Sequence, residues 1–193
     1  MTDTREQLIE ATRDAIRDVG MQRATAREIT GRASANLASI PYHFGSKDAL
    51  VAEALVAEAR ELTAPVLELL SSDRPGSERA VEAAALLEDM FEHSRRQIPV
   101  YLAALAAAQH DDAVREGLAG LWTELTDRVA DDVGRQCDAG LLPTWVQPRP
   151  MAMLIVSVVN GVVVGSVLDP DGLDHRAVAA QFLALLLTAR PQQ

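Results

Sequence analysis

The sequence predicts an all-helical protein, with an N-terminal three-helix helix-turn-helix head and a larger C-terminal helical body. Three observations predict it. Apolar residues recur at three- and four-residue steps along the chain, with no strand-like alternation. Aromatic residues make up only 4% of the 193 residues while Ala, Leu and Val are plentiful, which suits helices packed through small and aliphatic side chains. Helix-starting residues stand at Thr25, Asn36 and Ser46 and divide the first fifty residues into short pieces. The apolar share of 48% is ample for a core. The boundary is expected at residue 46, giving a head of 1–46 and a body of 47–193.

Residues 3–19 read as an amphipathic helix, with Leu8, Ala11 or Thr12, Ala15 and Val19 on one stripe, Asp3 or Thr4 as the cap and Gly20 at the end. Thr25-x-x-Glu28 reads as a capping box, in which the Thr hydroxyl accepts from the Glu28 amide and the Glu28 carboxylate returns to the Thr25 amide. It opens a short helix over about 26–33 with Ile29 and Ala33 inward. After a turn at Ser34-Ala35, Asn36 caps a second short helix beginning at Leu37. Pro41 would be its fifth residue, losing one backbone bond and crowding the Leu37 carbonyl, so the helix is expected to be irregular near Ile40. Gly45 ends it. Ser46 caps a long helix that Pro65 is expected to stop or kink. Two short helices joined by a tight turn on a longer first helix describe a helix-turn-helix.

On these residues the stretch of about 5–55 resembles the N-terminal domain of the tetracycline-repressor (TetR) family. The likeness lies in the Thr25-opened helix, in the Asn36-Leu37-Ala38-Ser39-Ile40 start of a recognition helix, and most specifically in Tyr42-His43-Phe44-Gly45-Ser46-Lys47-Asp48-Ala49-Leu50. Two positions depart from the family pattern. Ser34 stands where Gly is usual, and a left-handed Ser there would carry strain of about 1 kcal/mol. Pro41 stands where Tyr or Asn is common, so no DNA contact is carried over to it. The resemblance implies a homodimeric, ligand-responsive DNA-binding regulator, a repressor on a double-stranded operator. DNA contacts are then expected from Thr25, Arg27, Asn36, Leu37, Ala38, Ser39, Tyr42, His43 and Lys47. Leu37 and Ala38 can touch a thymine methyl or pack inward, and Tyr42 can donate to phosphate or pack in the core.

The body reads as helices throughout. The clearest loop runs from Ser71 to Gly76, and Ser77 caps a helix to about Arg96. Pro99 opens another to about Gln109. Asp111-Asp112 start a third to about Asp138 with Val114, Leu118, Leu121, Leu125, Val129, Val133 and Cys137 as its stripe. After a Pro-rich connection, residues 151–168 form an 18-residue apolar run. A membrane span needs about 20 apolar residues, and Asn160 with two serines interrupts this one. Eighteen residues are also too many for one strand, so the run reads as a helix buried on nearly all sides. Ser157, Gly161 and Gly165 lie on one ridge where another helix can approach closely. Together with Val178, Phe182 and Leu185 of a last helix over about 174–188, they form the subunit interface that the resemblance implies. A small-molecule pocket within the body would be lined by residues such as Met90, His93, Tyr101, Leu105, Trp122 and Asn160.

Charge and missing motifs bound the function. Residues 1–50 balance seven basic against seven acidic groups, so the net charge of −10 lies in residues 51–193. Within 21–47, Arg23, Arg27, Arg32 and Lys47 face only Glu28. A head with a basic edge on an acidic body can still bind DNA, and the body then suppresses non-specific binding. Four scattered histidines, no glycine-rich phosphate loop and no Gly-x-Ser-x-Gly lead us to expect no enzyme, no cofactor and no metal. The lone Cys137 and a polar N-terminus suggest a cytoplasmic protein. The alternative is a helical small-molecule-binding protein with a degenerate DNA-binding head.

Overall fold

The structure is a computed structural model, and it describes residues 3–72 and 97–169 together with Gly172, Asp174, Ala177, Val178, Gln181 and Ala184. Seven α-helices occur among the described residues and no strands: α1 Thr4–Val19, α2 Ala26–Arg32, α3 Ser39–Phe44, α4 Lys47–Leu70, α5 Ile98–Ala107, α6 Asp112–Asp138 and α7 Pro148–Leu168. The fold is all-α, as expected. The helix expected over 77–96 lies outside the described residues, as do most of the last helix, most of the loop to Gly76, and Met90, His93, Phe182 and Leu185. At the start of the last helix, the Asp174 carboxylate accepts from the Ala177 amide (2.9 Å), and positions 177 and 178 are helical.

Two compact units divide the chain: Met1–Leu62 with Ser94–Leu121, and Thr63–His93 with Trp122–Gln193. In the first, α1 to α3 and the start of α4 share one core with α5 and the start of α6. Leu8, Ala15, Ile29, Ile40, Leu50, Leu55, Val100 and Val114 are its buried centre. Within it, α4 and α6 approach closely at Val56 and Gly117. A Cβ added at Gly117 would lie 2.6 Å from Val56 Cγ2 and 3.0 Å from Cγ1. Val56 is β-branched and cannot easily turn aside. Gly117→Ala gains about 1 kcal/mol of helix propensity but overpacks at a cost of about 1–3 kcal/mol. We expect a net loss of about 1 kcal/mol, or about 2–4 °C in thermal melting; a higher melting temperature would contradict the close approach.

In the second unit, Val129 and Val133 of α6 pack with Val146 and with Met151, Ala152 and Val156 of α7. The predicted α6 stripe is accurate: no residue from Val114 to Cys137 on it is exposed. Asp111 caps this helix, accepting from the amides of Ala113 and Val114.

Four expectations need correction. The second short helix starts at Ser39, two residues later than expected, because Leu37 and Ala38 form a turn. Pro41 is therefore in the first helical turn, where an amide would have no intrahelical partner, so it breaks no backbone hydrogen bond of the helix. Only half of the capping box forms. The Thr25 hydroxyl accepts from the Glu28 amide (3.2 Å), but the Thr25 amide donates to the Arg23 carbonyl, and the Glu28 carboxylate is taken by Arg32. Of the two outcomes expected at Pro65, the stop does not occur: Pro65 lies inside α4, which runs five residues further to Leu70.

The fourth correction is α7, which in the single chain is not buried on nearly all sides. Met153, Leu154, Ser157, Gly161, Val164, Val167 and Leu168 are exposed on it. Among its 21 residues is an 18-residue stretch of mean hydropathy 2.3, long and apolar enough to cross a membrane, and 28% of that stretch is buried in the chain.

Candidate nucleic-acid interface

The outer surface of the first unit is made by three chain breaks, each capped by its own side chain. Thr25 caps α2, and because its oxygen accepts from Glu28, its own O–H proton remains to be donated outward. Between α2 and α3, Ser34 takes φ +50°, the left-handed conformation that the departure from Gly predicted. The Asn36 carboxamide oxygen then accepts from the Ser39 amide (3.1 Å) and lies 3.3 Å from the Ser39 hydroxyl. This ties the turn to the first residue of α3. Gly45 ends α3 with φ +77°, and the Ser46 hydroxyl accepts from the Ala49 amide (3.0 Å). Lys47 is therefore the first residue of α4.

The side chains expected to contact DNA stand on and beside these caps. Thr25, Arg27, Asn36 and Ala38 are exposed, and Ser39, His43 and Lys47 are half-buried. Leu37 is 49% exposed and Tyr42 85% exposed, so neither is committed to the core. An apolar residue on the turn and a phenol on the six-residue helix, both held open to water, are poor stability choices; they suit contact with a partner. The rings are stacked in order along the chain. Tyr42 meets His43 edge to face at 4.9 Å, and His43 is tilted against Phe44 at 6.3 Å. Arg5 of α1 lies over the Phe44 ring at 5.1 Å and pairs with Glu53 of α4.

The basic surplus is smaller than the sequence count. Arg32 is bound to Asp18 (2.6 Å) and Glu28 (2.8 Å), and these two carboxylates, Asp18 first, raise its pKa above the ordinary value. Arg23 donates to the Val19 carbonyl. Among the described residues of 21–47, Arg23, Arg27 and Lys47 form no ion pair, and Arg27 and Lys47 make no side-chain hydrogen bond either, so these two are the least committed cations left to meet phosphate.

Sequence reasoning missed the buried charge behind this surface. Glu58 of α4 has no solvent exposure, and it accepts from Arg13 of α1 and, at 3.4 Å, from Arg17. Arg13 also reaches Glu61 and Glu10. Burial alone would lower the Arg13 pKa, but the bond and charge of Glu58, with Glu10 and Glu61, more than offset it and raise the value. The signal was present in the sequence, since Glu58 falls four residues after Ala54 and four before Leu62 on an apolar face.

The residues expected around a small molecule are divided between the two units, with Met90 and His93 outside the described residues. Tyr101 is half-buried, with its phenol pKa raised by burial, and Leu105 is exposed; both belong to the first unit. Trp122 and Asn160 belong to the second, where the Asn160 amide donates to the Val156 carbonyl (2.9 Å). A groove of about 410 Å³ lies on the open side of α7, lined by Arg149, Pro150, Met153, Leu154 and Ser157.

Comparison with known proteins places this geometry. Residues 8–54 match the description of bacterial regulatory proteins of the tetR family. Residues 78–189, more than half of the chain, match that of a BetI-type transcriptional repressor C-terminal domain. The HTH-type transcriptional regulator BetI of Vibrio vulnificus (strain YJ016) is 25% identical, over 98% of this chain and 95% of that protein. The HTH-type transcriptional regulator PksA of Bacillus subtilis (strain 168) is 27% identical over 59% of this chain, which spans only 58% of it. Among solved structures, a transcriptional regulator from Saccharomonospora viridis in complex with choline has TM-score 0.79 at 15% identity, covering 98% of each chain. The multidrug binding protein EbrR complexed with imidazole has TM-score 0.72 at 20% identity, covering 100% of this chain and 99% of that one. At these identities the solved structures show a shared fold.

Proposed function

Since the chain belongs to the TetR family of bacterial regulatory proteins and is a DNA-binding transcriptional regulator, we propose that it is a repressor released from a palindromic operator by a small molecule. The observation that carries this reading is the outward set on the turn and α3 (Asn36, Leu37, Ala38, Tyr42) flanked by Arg27 and Lys47, the two uncommitted cations. In the reading, α3 lies in the major groove. Asn36 and Ser39 meet base edges, Leu37 and Ala38 meet a thymine methyl, and Thr25, Arg27, Tyr42, His43 and Lys47 hold phosphates. The functional boundary falls at residue 46, with a DNA-reading head of 1–46 and a body of 47–193. The protein acts in the cytoplasm, where its operator is.

The open apolar side of α7 supports a homodimer. Ser157, Gly161 and Gly165 let the same helix of a second copy approach, with Val178, Phe182 and Leu185 of the last helix beside it. This gives the bilayer-length apolar face a protein partner instead of lipid. Small ligands are bound in two solved relatives, one with choline and one with imidazole, which supports a small-molecule effector here. Met90, His93, Tyr101, Leu105, Trp122 and Asn160 are proposed to contact it. The effector acts by favouring the non-binding form; a 10⁴-fold preference corresponds to about 5.5 kcal/mol.

Two measurements test the reading. In a gel shift with DNA from upstream of its own gene, we expect a specific complex. No complex there would favour a small-molecule-binding protein with a degenerate head. Lys47→Ala should weaken binding to every sequence and flatten the plot of log affinity against log salt by about 0.9 per chain, or about 1.8 for two chains. An unchanged slope would remove Lys47 from the phosphates.

A further inference from the structure

We infer that Glu58, acting through Arg13 and Arg17, is a positioning residue for DNA recognition: it fixes the register of α1 against α4 and so the spacing of the residues that read DNA. The inference rests on the DNA-binding role above and assigns part of it to a buried side chain that touches no DNA.

The core between these helices is built from Leu8, Ala11, Ala15, Leu50 and Leu55. Apolar contacts are non-directional, so small rotations or slips of α4 on α1 change them little. A guanidinium fork is directional. Arg13 donates through Nε to Glu58 and through another nitrogen to Glu61, almost one turn further along α4. Arg17, one turn along α1, donates to the other Glu58 oxygen. Two successive turns of each helix are therefore pinned, and Arg5 with Glu53 adds a third tie. A buried ion pair seldom adds stability over an apolar set of the same volume, which directs attention to geometry.

That geometry reaches the reading surface directly. With six residues, α3 is too short to hold its own orientation. It is held by Ile40 and Phe44, which pack in the core that Leu8 and Leu50 share. Phe44 is also covered by Arg5, whose partner is on α4. Lys47 opens α4, whereas Arg27 stands on α2, which packs on α1. A shift of α4 on α1 thus moves Lys47 relative to Arg27 and changes the phosphate span.

The test replaces the buried charges with apolar groups, Arg13→Met together with Glu58→Leu, in the full-length chain. Affinity is measured for the selected operator and for a random duplex of equal length, with wild type alongside. We expect melting within about 4 °C of wild type, operator affinity at least about tenfold weaker, or about 1.4 kcal/mol, and a smaller loss on the random duplex, where the two cations can settle on phosphates in any register. Operator affinity equal to wild type, or an equal loss on both duplexes, would overturn the inference. Should the double variant not fold, Arg13→Lys keeps the charge and removes the fork. A lower ratio of operator to random affinity supports the inference, and an unchanged ratio overturns it. A wild-type chain without sequence preference would overturn the DNA-reading premise itself, and the wild-type control identifies that case separately.

Discussion

Glu58→Gln is expected to be the most damaging single polar substitution in the first unit. Removing one partner of a buried pair typically costs about 3–5 kcal/mol. Arg13 would keep Glu61 and Glu10, so the lower end applies: about 3 kcal/mol, or about 6–12 °C in thermal melting. Glu53→Gln provides the contrast. Its pair with Arg5 is more than a third exposed on both sides, and exposed pairs contribute about 0–1 kcal/mol. Far-ultraviolet circular dichroism melts of the two variants decide the matter. Equal, small shifts would mean that water reaches Glu58.

The second large effect is expected from Gly161→Glu, read on assembly and DNA binding. Gly161 is exposed on α7, and an added Cβ there meets nothing within 4 Å. Glutamate is also a better helix former than glycine by about 0.5–1 kcal/mol, so the single chain should lose no stability. Between two copies of α7, however, it would place a charge against its own symmetry mate in an apolar seam. Sedimentation at micromolar concentration should then show a monomer where wild type shows a dimer. Operator affinity should fall by about 10²–10⁴, the contribution of a linked second half-site. A dimer with unchanged affinity would move the interface away from this ridge.

Periodicity and caps made most of the described fold legible. The α6 stripe, the first helix from its Asp3 cap to Gly20, and the start at Pro99 all depend on local spacing and on residues that act on their own neighbours. Ser34 was legible for the same reason, because a side chain in a glycine position requires a left-handed backbone wherever the turn persists. The misreadings came from competition between local options. Thr25 and Glu28 fit a capping box, but Arg32, four residues on, offers Glu28 a charge-assisted bond. Pro41 is disruptive only in a helix that begins at Leu37; the Asn36 side chain instead closes a turn, and the proline falls where it is tolerated.

The candidate DNA surface was legible because its residues fall within one short stretch, 25–47, marked by its own caps. The charge behind it was not. Glu58 meets Arg13 across 45 positions, and a single carboxylate on an apolar stripe does not say which helix supplies its partner. For α7, apolar composition indicated that the helix must be covered but not by what. The open side becomes visible only when its neighbours within the chain have been placed.

The most direct test of the account is selection from random duplexes by the purified full-length protein at physiological salt. The account predicts enrichment of an inverted repeat whose half-sites lie one helical turn apart, about 34–36 Å from centre to centre. A selected pool with no sequence preference would contradict it.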